Sequence, residues 1–457
     1  MKNDVARDAA KVQKEQEITK VSQKVERQIF VIDDVPPEGN AMLQALYSRS
    51  PKSVKIHLDK VREVGPEKFM GLYYVGYGHK SIGDCGTTTV YAENVSMLTA
   101  KAIQDWPLYN GQEASTRYLN MAAQPVLNPL GTKEGEAIQR EWMRIYNVAL
   151  AELVPFLKTS FPKADDQDEK IWEKAILAKA FDIARCLLPA GTTTLLSWHT
   201  NLRQAHDHLK YLEVHPLEEV REVAAAIRTD LKAKYSNSFS HKNYPKQDDF
   251  IKKNSDSLSY FYDASISKFT TKSFLDVKGL QKAPFKKLLA TRPEKTEVHQ
   301  DFRKFGNVRF SFLLDFGSYR DLQRHRSMIC PMPLLTTKKG FTPWYLSQMP
   351  AALLSEVKQV IAAQEKRIKA LKTDDATRQY YIAMGYAVTC EVTANLPSAV
   401  YIAELRSGQM VHPTLRPIAQ QMGKALKKIL PHMALQCDFT EDKWSIKRGT
   451  QDIVKKK

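Results

Sequence analysis

The feature that most constrains this chain is an internal repeat. Gly191, nine intervening residues and Asn201-Leu202 recur as Gly385, nine residues and Asn395-Leu396. His215-Pro216 ahead of a helical run then recurs as His412-Pro413 ahead of another. One His-Pro pair would carry no weight, but four landmarks in the same order indicate a duplicated unit. A duplicated chain resembles a covalently joined pair of like domains whose copies are free to specialise. The polar stretch Ser236–Ser257 reads as the boundary between them. The expected organisation is a charged lead-in over 1–30, a first copy over 31–240 and a second over 241–457. The second copy starts somewhere within 241–300.

At 457 residues the chain has room for two or three domains of about 150 residues. Its 43% apolar and 26% charged residues are the balance of a globular protein. No run approaches the ~18 apolar residues of a membrane span. The net charge of +17 favours anionic partners such as nucleotides, phosphorylated cofactors or nucleic acid, without choosing among them. Cys85, Cys186, Cys330, Cys390 and Cys437 are scattered singly. That spacing supports neither a disulfide framework nor a zinc module, and a reducing cytoplasm is expected.

Hydrophobic periodicity predicts helices over Ala41–Lys68, Glu134–Phe156, Ile171–Leu188, Ser197–Leu212, Leu217–Tyr235, Tyr319–Arg326, Ala351–Leu371, Tyr380–Leu405 and Leu415–Leu430. Strands are expected at Thr87–Val90 and Val308–Leu314. Pro216 suits the first turn of its helix.

Arg324-His325-Arg326 packs three potential cations between the apolar segments Val308–Leu314 and Met328–Leu335. Adjacent cations beside a core call for an anion, and Arg presents a planar donor fork suited to phosphate. The plainer reading is a solvated basic patch. The loop Gly111–Tyr118 gathers Glu113, Ser115, Thr116 and Arg117, donors that can wrap a phosphate or a uracil-like edge. It could also be no more than a capped turn. Arg185 interrupts an apolar helix and needs an anionic partner, with Asp182 or Glu173 as structural candidates. His199, His206 and His208 lack the acidic or Cys partners of a metal site, so no metal is expected.

Taken together, these segments resemble the flavin-dependent thymidylate synthases. That family carries a G-H-x-S segment, an R-H-R motif running into an E-x-S-x-R-Y loop, then A-R-x-x-L-P, W-x-x-N-x-R and an L-R ahead of a His-led final helix. Here Gly78-His79-Lys80-Ser81, Glu113 to Tyr118, Ala184-Arg185, Pro189, Trp198, Asn201, Arg203 and His215 follow that order. The later half supplies Arg324-His325-Arg326, Asn395, Leu405-Arg406 and His412. The departures are complementary. The first half has Asp105-Trp106-Pro107 in place of R-H-R and Leu212 in place of the L-R arginine. The second has Met332 to Thr336 in place of E-x-S-x-R and Gln379 in place of the A-R arginine. Cys85 replaces a common His, and Asp321 stands where the family has a nucleotide-contacting Gln. An Asp there would repel a phosphate unless Arg320 neutralised it.

The resemblance implies an α/β (α+β) fold of two tandem copies, each a small β-sheet with packed helices, in a tandem-duplicated family form. It implies reductive C5 methylation of dUMP to dTMP, with methylenetetrahydrofolate and NADPH as co-substrates and FAD as cofactor. Arg406, Arg185 and Arg324 would be catalytic. Glu113, Ser115, Thr116 and Arg117 would join them in binding substrate. Arg324, His325, Arg326, His79, Asn201 and Arg203 would hold FAD. The expected assembly is a homodimer imitating a tetramer, each working site drawing on both copies, with no membrane. Two alternatives stay open: flavin-dependent methylation of another uracil-containing nucleotide or nucleic acid, and a non-catalytic nucleotide- or flavin-binding homologue.

Overall fold

The computed structural model describes residues 32–64, 70, 80–240 and 244–450. The lead-in, His79 and the C-terminal lysines lie outside them. After helices α1 (Pro37–Tyr47) and α2 (Val54–Val64) come β1 (Thr87–Ser96), α3 (Met97–Gln104), β2 (Asn110–Glu113), α4 (Lys133–Ser160) and α5 (Glu169–Ala184). A short 3-10 turn, Arg185–Leu187, leads to β3 (Thr193–Asn201), α6 (Leu202–Leu212) and α7 (Glu218–Lys234). A connector follows with α8 (Pro245–Leu258), β4 (Thr270–Leu275), α9 (Val277–Leu280) and α10 (Ala283–Ala290). Then the first pattern recurs: β5 (Gly306–Asp315), α11 (Phe316–Leu322), β6 (Met328–Ile329), α12 (Pro343–Ser347), α13 (Ala351–Ala370) and α14 (Asp375–Arg378). The 3-10 turn Gln379–Tyr381 leads on to β7 (Ala387–Asn395), α15 (Leu396–Ser407) and α16 (Arg416–Ile429).

The sheets carry the same correspondence. One runs β1-β3-β2, the other β4-β5-β7-β6, all antiparallel, with β3 and β7 central. Mixed helix and sheet is therefore the observed class.

Several boundaries differ from the sequence reading, each for a local reason. Ser197–Leu212 is not one helix: Thr193–Asn201 is a strand, and Asn201 caps the helix behind it by accepting the Gln204 N–H at 2.8 Å. Tyr380–Leu405 divides likewise at Asn395, whose side chain accepts the Ser398 N–H at 3.1 Å. Ala-Val-Thr-Cys-Glu-Val-Thr-Ala before it is rich in β-branched residues, and that outweighed the helical spacing. Ala41–Lys68 breaks near Pro51, which has no N–H to continue the ladder. Pro216 precedes its helix, which starts at Glu218. The polar boundary contains α8 rather than bare linker.

The halves interlock through backbone bonds that are reciprocal. Gly191 N–H donates to the Tyr380 carbonyl at 2.9 Å, and Gly385 N–H to the Cys186 carbonyl at 2.8 Å. Ala190 donates to Ile382 and Met384 to Leu188, both at 2.9 Å, and Pro189 faces Ala383 across the crossing point. Here the recurrent glycines find their reason. A Cβ on Gly191 would sit 2.8 Å from the Tyr380 carbonyl oxygen, and one on Gly385 would sit 2.7 Å from Cys186 Cβ. Only glycine lets the two backbones approach this closely. Trp142 on α4 adds an indole N–H bond to the Tyr381 carbonyl at 2.9 Å, and one apolar core runs through both halves.

Candidate active site

Beside this crossing, arginines of both halves come together. Arg185 leaves the end of α5, is 2% exposed, and reaches into the second half. It donates to Ser318 Oγ at 2.7 Å and Tyr345 Oη at 3.4 Å, and lies 3.8 Å from the carboxylates of both Asp315 and Asp321. Asp182 acts on Arg185 only through its charge. Asp182 instead takes both ends of the Arg117 fork at 2.7 and 3.0 Å, and Glu173 pairs with Lys158. Arg406, near the end of α15, donates Nε to His325 Nε2 at 2.7 Å and Nη2 to the Asp321 carbonyl at 2.7 Å. Asp315 caps α11, accepting from Ser318 N–H, Tyr345 Oη and Thr414 Oγ1, so the second half supplies a prepared acceptor beneath Arg185.

Asp321 is the shared counter-ion. Burial would raise its carboxyl, but Arg117, Arg185, Arg324 and Arg406 hold it far below the usual range. Arg320, the residue that could have neutralised it, is engaged elsewhere. The Arg320 fork goes to Glu113 and to Thr116 Oγ1 at 3.3 Å. Burial and the neighbouring Arg406 push His325 down to about 3, so it is a neutral ring that accepts from Arg406.

Glu113 lies beneath the cluster and is engaged on both oxygens: Arg320 on one, Lys101 at 2.7 Å and Gln104 at 3.0 Å on the other. Burial would raise it, yet Arg320 and Lys101 bring it to about 2. Burial lowers Lys101 to about 8 against the opposing pull of Glu113. The carboxylate expected to touch substrate is thus committed to an ionic clamp between α3, β2 and α11. Sequence reasoning missed Lys101; a lone lysine inside the apolar run Met-Leu-Thr-Ala-Lys-Ala-Ile was the available signal. Ser115 Oγ accepts the Arg117 N–H at 3.3 Å and shapes the loop.

Arg324 and Arg326 are exposed and line a cavity of about 310 Å³ with Gln104, Tyr109, Gln112 and Gln323. Arg326 also donates to the Tyr109 carbonyl and, at 2.5 Å, to Asn110 Oδ1, again joining the halves. Asn201 is occupied as a helix cap, and Arg203 pairs with Asp84 at 2.7 Å.

Residues 36–235 match a family model. That family is the thymidylate synthase complementing protein. The match to the thymidylate synthase complementing protein covers α1 to α7, including Glu113, Arg117 and Arg185, and stops short of Arg324 and Arg406. Longer similarity links the chain to proteins named UPF0159. One from Chlamydia muridarum is 23% identical, covering 88% of this chain and 90% of the relative. One from Chlamydia pneumoniae is 25% identical, covering 80% and 79%. One from Thermoplasma acidophilum is 23% identical, covering 80% and 87%.

At the positions corresponding by element order, the second region has no arginine, and among the described residues Asp105 is the one acid on its cavity. Asp105, Trp106, Leu212 and Met332 border a cavity of about 260 Å³. Gln379, in the place of Arg185, is spent on backbone: it accepts the Leu335 N–H at 2.9 Å and donates to the Ala376 carbonyl at 3.2 Å.

Proposed function

We propose that this chain is a duplicated, flavin-dependent thymidylate synthase that methylates dUMP at C5 to give dTMP. Methylenetetrahydrofolate would donate the one-carbon unit and NADPH the reducing equivalents. The observation that carries this reading is the assembly of Arg117 and Arg185 from the first half with Arg324 and Arg406 from the second around one carboxylate. Several charge-assisted donors in one place suit a nucleotide phosphate and the polarised carbonyls of a uracil ring. The reciprocal backbone crossing and the matching element order support two copies of one domain, over about 31–240 and 241–457.

Arg117, Arg185 and Arg406 bind and orient the nucleotide, and Arg185 is fixed for this by Ser318 and Tyr345. Ser115 and Thr116 shape the loop beside it. Glu113 positions that loop through Lys101 and Arg320 and does not contact substrate. The exposed arginines at the 310 Å³ cavity fit the anionic part of a dinucleotide, so Arg324, His325 and Arg326 would hold FAD, with Asn201, Arg203 and His79 as outer candidates. Bound flavin would supply hydride chemistry; the protein holds the reactants in line and keeps charge in place.

The test is direct. Purified full-length protein should show a flavin absorption band and form dTMP from dUMP with the two co-substrates. Colourless protein with no affinity for added FAD would sink the reading, as would full flavin occupancy after Arg324→Ala with Arg326→Ala. Light scattering should give a homodimer in the cytoplasmic concentration range. The net charge of +17 favours a second reading, a uracil within nucleic acid. Affinity for a uracil-containing strand that falls steeply with salt, with no turnover of free dUMP, would support it instead.

A further inference from the structure

The counterpart region keeps a cavity although it has none of the arginines of the other. Its walls are Trp106, His208, Tyr211, Leu212, Leu258 and Met332, with Asp105 and Asn254 also on the lining. Trp106 stacks on His208 at 4.5 Å between ring centroids and 26° between planes, and Tyr211 lies 5.8 Å from Trp106. Flat aromatic walls of this kind favour a flat, apolar-faced ligand.

One wall atom is unsatisfied. His208 is 2% exposed, and its Nε2 lies 3.0 Å from the Ile103 carbonyl, which fixes the proton on that nitrogen. Nδ1 is therefore an acceptor, and it is buried with no partner. Burial pushes the ring down to about 4, so it is neutral at physiological pH. A buried acceptor without a donor is destabilising, and a ligand N–H would recover it. Cations are missing where a phosphate would need them. Leu212 stands in the position of Arg406 and Asp105 in that of Arg324. Arg221, behind His215, gives its Nη1 to the carbonyls of His215 and Pro216.

We propose that this cavity binds an uncharged, planar heteroaromatic ring bearing an N–H donor, a nucleobase or nucleoside rather than a nucleotide. The donor meets His208 Nδ1, the ring lies along Trp106 and Tyr211, and the Asp105 carboxylate excludes a phosphate. Binding here is independent of turnover at the arginine cluster, so its failure leaves the thymidylate synthase reading standing, and the reverse holds too.

The probe is adenosine, titrated calorimetrically into the full chain beside adenosine 5′-monophosphate, both in excess FAD and dUMP so that the arginine sites are already filled. Adenosine should bind at least about tenfold more tightly than the monophosphate, because a buried phosphate without a partner is strongly penalised. Leu212→Arg should bring the two affinities together or reverse them. Trp106→Leu should weaken adenosine by about tenfold or more, while Arg406→Ala should change it by less than about twofold. Equal or tighter binding of the monophosphate would overturn the proposal. So would no adenosine binding at millimolar concentration, full affinity in Trp106→Leu, or loss of affinity in Arg406→Ala.

Discussion

The arginine cluster and its aromatic counterpart occupy corresponding places in a repeated architecture, yet they solve opposite problems. In the first, Arg117, Arg185 and Arg406 are partly or wholly removed from water and held by Asp182, Asp315 and Asp321. In the second, Trp106, Leu212 and Met332 fill similar ground with no ionic pairing of their own. Buried charge is costly and persists only with well-placed partners. Once one of two equivalent sites is released from charge chemistry, apolar residues are the easier occupants. The remaining site then depends on residues from both halves, because each half retained a different set.

The largest expected effect tests that dependence. Arg185→Met leaves Asp315 and Asp321 without their shared cation and should cost about 3–5 kcal/mol of stability, read as a large drop in melting temperature. Gln379→Ala at the corresponding place strands the Leu335 N–H and should cost less, about 1–3 kcal/mol. Equal losses would erase the distinction between the regions.

Arg117→Ala should lower turnover of dUMP by a factor of about 30 to several thousand, the equivalent of roughly 2–5 kcal/mol for one partner of a desolvated charge pair. Thr336→Val, at the corresponding loop position, should leave turnover within about twofold. A Thr336 variant as impaired as the Arg117 variant would mean that both regions work.

Acid should affect both regions through buried histidines. Burial pushes His208 and His215 down to about 4, and burial with Arg406 pushes His325 down to about 3. In the unfolded chain each titrates near about 6.5, so between these limits the unfolded state binds more protons. Stability is therefore complete above about pH 6.5 and is lost as pH falls toward 4, by on the order of 1–2 kcal/mol per histidine at pH 5. Melting curves from pH 7.5 to 5 should show this decline. His325→Gln and His208→Gln should each flatten it in part; an unchanged slope in both variants would remove the histidines from the account.

The smallest effect sharpens the cluster itself. Asp321→Asn frees part of the arginine charge and should tighten dUMP binding about three- to tenfold at low salt, with the gain shrinking as salt screens it. Weaker binding would show that Asp321 orders the arginines rather than competing with the phosphate for them.

The elements that sequence reading placed well were the long amphipathic helices α4, α5 and α13, whose apolar stripes repeat over several turns. The central strands β3 and β7 were read as helix. In β3 burial alternates, but Thr194 and Thr200 face inward and Leu195 outward, so residue type does not alternate with it; β7 is buried at most positions. Arg117, Arg185, Arg324 and Arg406 were legible as chemistry-bearing residues because cations beside apolar runs need a partner. Their partners were not. Asp182 and Asp315 are ordinary acidic residues in sequence, and nothing in it points Arg320 to Glu113.

The recurrent landmarks, the different arginines of the two halves and the excess of positive charge are legible in residue identity and order alone. Which charge meets which is settled by packing in three dimensions. Gly191 and Gly385 let two backbones cross at bonding distance, and that crossing carries Arg185 over to Asp315 and Asp321 and brings Glu113 between Lys101 and Arg320. A buried charge offsets its desolvation only with partners in direct contact. A choice among carboxylates tens or hundreds of residues apart is therefore made by the packing of the two halves and not by spacing along the chain.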